Sequence, residues 1–155
     1  MDGTTHTNTE IIEKELEEYL TEVLKDKDDV ATFRIELQEP IKNTYSLSVE
    51  LISKSFEVPS SPYDPMTVLN KIRETRGIPE YIDFIPGGGE GIFRVKLSRT
   101  HTLEPTDLEE KSKTLVSNDL KDLSSYITMV STSLSNYKKG VDNLLTNLLK
   151  GGIFR

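Results

Sequence analysis

The spacing of hydrophobic positions along the chain switches repeatedly between two periods, and each switch marks an element. Ile12, Leu16, Tyr19, Leu20, Val23 and Leu24 recur at steps of three and four, the stripe of an amphipathic helix. Thr7-Asn8-Thr9-Glu10 ahead of it fits a capping box. The helix is therefore expected to start there and to end at Asp26-Lys27-Asp28-Asp29. The period then becomes two. Ala31, Phe33, Ile35 and Leu37 alternate with polar residues, and so do Tyr45, Leu47, Val49 and Leu51. Each run reads as a strand with one buried face, the pair joined through QEPIKN as an antiparallel hairpin. After Leu51 the apolar phase slips to Ile52, Phe56 and Val58, which a bulge or a third short strand would explain.

A second helix comes after VPSSPYDP. Asp64 can cap it, Pro65 suits its first position, and Met66, Val68, Leu69 and Ile72 form its stripe. Gly77 with Pro79 behind it supplies the stop. Residues 81–85 and 92–97 read as two more strands on either side of PGGGEG, with His101 in the loop after the last one.

From the Thr106-Asp107-Leu108-Glu109 capping box the pattern is helical to near the end. Ser117-Asn118 either breaks this helix or caps a second helix beginning there. Leu120, Leu123, Ile127, Val130, Leu134, Tyr137, Val141, Leu144 and Leu148 then alternate in steps of three and four, as a and d positions of a heptad do. Unbroken, this stretch spans about 46 Å at 1.5 Å per residue. A domain of about 100 residues is only about 35 Å across, so the last turns are expected to overhang. Gly140 sits inside the seam, where glycine costs about 1 kcal/mol against alanine and offers a bend. The seam thus has two readings, an intermolecular stripe or a helix packed on its own sheet. The expected fold class is α+β, an antiparallel sheet of four to five strands with N-terminal, middle and long C-terminal helices. Residues 1–7 are expected to be disordered, 8–117 to form the α+β domain, 118–150 to be the heptad-bearing helix (part of that domain or an oligomerisation arm), and 151–155 to be a tail.

Composition narrows the function classes. The chain has 155 residues, enough for one domain with a real core. No apolar run approaches a membrane span, and the first ten residues lack the pattern of a signal peptide. A cytoplasmic protein is expected. Cysteine is absent, which excludes thiol chemistry and Cys-ligated zinc. The net charge of −7 is concentrated at the start, where ten acids face three bases within residues 1–29. Phosphate would be repelled there, so no nucleic-acid partner is expected.

A phosphate cradle needs glycines that lead into a helix N-terminus. Gly91 leads instead into a β-rich run, and PGGGEG reads as a hairpin loop. Neither His6 nor His101 has a Ser–Asp pair at nucleophile spacing. Asp26-Lys27-Asp28-Asp29 opens like a calcium loop, but Val30 and Ala31 stand where an oxygen ligand and glycine are needed. No catalytic, cofactor or metal residue is expected. Binding is the remaining class, with Leu134, Tyr137, Val141, Leu144 and Leu148 as its association seam.

The order helix, strands, helix, two strands, helix resembles the fold of class I type III secretion chaperones and related bacterial sensory-regulator-like proteins. The likeness is closest in MTVLNKIRETRGIPEYIDFI and in GIFRVKLSRTHTLEPTDLEEKSKTLV. It implies a dimer without catalysis that holds an extended partner segment against apolar grooves. That family has no invariant motif to carry over. The expectation is a non-enzymatic chaperone-like or adaptor module, homodimeric. The alternatives are a structural subunit of a larger hetero-complex, and a small-anion or nucleotide binder using the loop at 86–91.

Overall fold

The computed structural model describes residues 2–60 and 62–147, with side chains described over 9–60 and 62–141. Helix α1 spans Asp2–Leu24 and begins ahead of the capping box at Thr7. It buries Ile12, Leu16 and Leu20, one face at four-residue spacing. Strands β1 (Val30–Ile41) and β2 (Thr44–Ser53) form the antiparallel hairpin, longer than the alternation alone suggested. Both strands run up to Lys42-Asn43, where Asn43 takes φ 65° and its N–H donates to the Glu39 carboxylate at 2.9 Å.

The phase slip after Leu51 has two causes. Ile52 stays in β2 but points to the outer face, opposite Lys96. The chain then breaks at Lys54-Ser55 and restarts as β3 (Phe56–Glu57), which pairs with β5 and delivers Val58 to the core. Helix α2 (Pro65–Arg76) keeps both signals read from the sequence. The Asp64 carboxylate accepts from the Met66 N–H at 3.1 Å, and Gly77 closes the helix in the left-handed region. Val68, Leu69 and Ile72 are buried, whereas Met66 is exposed.

β4 (Ile82–Pro86) and β5 (Ile92–Leu103) form the second hairpin, and the sheet order is β1-β2-β5-β3 with β4 also on β5. The glycine run between them has a steric reason. A Cβ on Gly87 would stand 2.9 Å from Ile92 Cγ2, and Gly88 has φ 103°, a conformation side chains disfavour. Gly87 N–H donates to the Ile92 carbonyl at 2.8 Å, and Gly91 leads into β5. Helix α3 covers Asp107–Asn147 without a break at Ser117-Asn118 or at Gly140.

The helices lie on the sheet face that carries Leu47, Val49, Leu51, Val95 and Leu97. The opposite face presents Arg34, Glu36, Ser98, Thr100 and Thr102 to solvent. The protein is therefore α+β, with a five-stranded antiparallel sheet and three helices among the described residues. No helix among the described residues is long and apolar enough to cross a membrane.

Candidate functional site

β5 continues six residues past the strand end expected at Leu97, because its alternation continues with polar residues on the inner side. Leu97, Arg99, His101 and Leu103 stand opposite Leu51, Val49, Leu47 and Tyr45, so Arg99 and His101 face the helices. His101 is a strand residue beneath α3, not a loop residue. What makes this tolerable is Asp119 on α3, which is 1 % exposed. Its carboxylate accepts from Arg99 Nη1 at 2.6 Å and is 2.7 Å from His101 Nε2. Asp122 accepts from the same Arg99 nitrogen at 2.7 Å.

The Arg99 guanidinium also lies 3.7 Å from the centre of the Tyr81 ring, which meets Tyr126 edge-on at 6.3 Å. Burial works against the charge of Arg99, but the hydrogen bonds it donates to Asp119 and Asp122, together with the charge of Asp119, outweigh it and raise its pKa. Arg99, His101, Asp119 and Asp122 each have a partner within the cluster. The cluster is a clamp that fixes α3 on the sheet. The sequence offered two signals for it: apolar phase running through Arg99 and His101, and an acid beside Leu120 on the helix stripe.

Below the clamp α3 buries Leu120, Leu123, Val130 and Leu134 in the chain's own core. Leu134, placed in the association seam by its heptad position, is 9 % exposed there. Tyr137 is half-buried and is the last α3 side chain, among the described residues, that packs on that core. Lys138, Lys139 and Gly140 are exposed and Val141 is half-buried. Leu144 lies in the continuing helix beyond the described side chains, and Leu148 lies outside the described residues. The seam residues thus divide into Leu134 and Tyr137 at the domain and Val141 onward on the overhang.

At the point of division a groove opens between α2 and α3. Its main cavity, about 540 Å³, is lined by Tyr63, Val68, Ile72 and Tyr137 with Thr67, Asn70, Lys71 and Glu74 at its rim. A second hollow of about 320 Å³ continues it past Thr75, Arg76, Ser133 and Asn136. Arg76 Nε donates to Ser133 Oγ at 3.1 Å and holds the two helices in place. Tyr63 is 59 % exposed at the mouth. The Tyr137 hydroxyl is buried with no hydrogen-bond partner among the described residues, a costly state.

The basic residues near the glycine loop are engaged elsewhere. Arg94 Nη1 donates to the Ser53 carbonyl at 3.0 Å, and Lys96 Nζ lies 3.8 Å from Glu50. No protein-family model matches this sequence, and no curated protein or solved structure matches it.

Proposed function

We propose that the chain is a non-enzymatic protein-binding module, chaperone-like or adaptor in kind, that works as a cytoplasmic homodimer. The observation that carries this reading is the end of α3. Its heptad spacing continues past Tyr137, the last α3 side chain on the core among the described residues, into Val141 and Leu144, and in the sequence it reaches Leu148. An apolar stripe at that spacing on an unsupported helix is covered by another helix. The groove beside Tyr137 gives a partner segment a place to enter, and the resemblance to type III secretion chaperones fits this mode of action.

The e and g positions of the seam, among them Ser131, Ser133 and Lys138, lack the opposite charges that specify a parallel pair. They favour, as a second reading, a hetero-complex in which a different chain covers them. Light scattering after size exclusion, over a hundredfold range of concentration, separates the two. The homodimer predicts a constant mass of twice 17.5 kDa. Val141→Asp with Leu144→Asp should return it to the single-chain mass and leave the unfolding midpoint of the domain unchanged. A wild-type chain that is monomeric throughout rejects the homodimer.

A further inference from the structure

β1 is the outermost strand of the sheet, and β2 occupies only one of its two hydrogen-bonding edges. The β1–β2 register runs without a shift from Thr32↔Ile52 to Gln38↔Ser46. Irregularities bracket that window at Val30/Thr32 and at Gln38/Ile41, and the second contains Pro40, which has no N–H to offer.

The turn reveals which groups face outward. Ile41 and Thr44 face each other across the two-residue turn as the hydrogen-bonded pair that closes the hairpin, so Thr44 and, at every second residue, Ser46, Ser48 and Glu50 bond to β1. Backbone groups along an antiparallel strand alternate in direction. The N–H and C=O of Phe33 and Ile35 therefore point to the free edge, while those of Arg34 and Glu36 face β2. Proteins usually blunt such edges with proline, bulges or charge. Here the ends of β1 are blunted, and Glu13 of α1 stands near enough to the Leu37 N–H for its pKa to be pulled down by it. The outward groups of Phe33 and Ile35 are left open, since β2 pairs on the other edge and no further strand among the described residues pairs with β1.

The charge beside this edge is mostly negative. Glu13 interacts with Glu10, Glu17 and Glu36, and burial together with those neighbours raises its pKa against the pull of the Leu37 N–H. Arg34 is the only base in β1. A second copy of the chain would set one acidic rim against another.

We propose that the edge of β1 from Phe33 to Leu37 is a docking site for an extended segment of a basic protein, which adds to the sheet as a further strand. Main-chain hydrogen bonds to Phe33 and Ile35 supply the pairing. Lysine or arginine on the helix side of the added strand meets Glu13 and Glu17. The site stands apart from the α3 seam, and each can fail without the other.

The test is residue-resolved amide exchange on the full chain, with a short peptide of alternating lysine and valine as probe. Its control is the same peptide methylated at alternate backbone nitrogens, equal in charge but unable to pair. In the chain alone, Phe33 and Ile35 should exchange at least about tenfold faster than Arg34 and Glu36. The plain peptide should slow Phe33 and Ile35 by about tenfold or more, and the methylated one should not. Glu17→Gln, at an exposed position, should weaken the plain peptide's binding several-fold while leaving the alternation in the free chain intact. Three results overturn the proposal: equal protection by both peptides, no protection by either, or protection of Phe33 and Ile35 that rises with protein concentration and no peptide. The first means charge attraction alone, and the last means that a second copy owns the edge.

Discussion

The two parts of α3 share one helix and one spacing, yet they live in different surroundings. From Asp107 to Tyr137 the apolar positions are buried against the sheet and a polar clamp reinforces them. Beyond Tyr137 the spacing is unchanged, but Lys138, Lys139 and Gly140 stand exposed. Length explains the difference. The longest strands have 12 residues, about 40 Å at 3.3 Å each, whereas 41 helical residues extend about 60 Å. About 20 Å of α3 has no sheet to lie on. A heptad pattern specifies an apolar stripe and leaves open what covers it. The size of the neighbouring layer decides that.

The largest effects should come from the supported part. Asp119→Ala would take the partner from His101 Nε2 and leave Arg99 to Asp122 alone. Breaking a buried pair costs about 3–5 kcal/mol, and the partial exposure of both bases puts this case near the low end, about 3 kcal/mol. Leu123, 0 % exposed, should cost about 2–5 kcal/mol when cut to alanine. Leu144→Ala, measured by urea unfolding on chain dilute enough to be monomeric, should stay within about 0.5 kcal/mol of wild type. If Leu144→Ala cost as much as Leu123→Ala, the two parts of the helix would not differ and the seam reading would fall.

How much of this the sequence made legible divides along the same line. The Asp64 cap, Pro65, the Gly77 stop and the strands at 30–37 and 44–51 were readable because each is decided by residues close in sequence. The clamp was not. Arg99 and His101 look like a strand ending when read alone, and only Asp119, eighteen residues beyond His101, makes their inward position stable. The glycine run has the same character, since Gly87 is required by Ile92 across the hairpin. Ser117-Asn118 and Gly140 are weak helix residues, and tertiary packing on one side of them and helix continuity on the other carry α3 through. Where partners are distant, local propensity gives the wrong boundary or none.

Glycine replacements give a smaller and sharper contrast. A Cβ on Gly140 would meet nothing within 4 Å, and the residue is helical. Gly140→Ala should therefore stabilise the overhang locally by about 1 kcal/mol. Slower amide exchange around residue 140, with the unfolding midpoint of the domain unmoved, is the expected signature. Gly88→Ala should act in the opposite sense, because φ 103° strains any side chain, and should destabilise the domain by about 1 kcal/mol, lowering that midpoint. A fall in the midpoint from Gly140→Ala would mean that the overhang is packed after all.

The smallest effect compares two carboxylates, one at each margin of the sheet's helical layer. Asp119 lies between Arg99 and His101, whereas Glu13 lies among Glu10, Glu17 and Glu36 with the Leu37 N–H as its relief. Burial first, and then those acids, hold the Glu13 pKa above its ordinary 4.5. Between that value and the raised one the folded chain binds more protons than the unfolded chain. Stability must then fall as pH rises through the window, the reverse of the usual behaviour of a carboxylate paired with a cation. Glu13→Gln should remove this fall, visible as a flatter unfolding free energy against pH just above 4.5. An unchanged slope would show that Glu13 is solvated and free of the burial and like charges that raise its pKa.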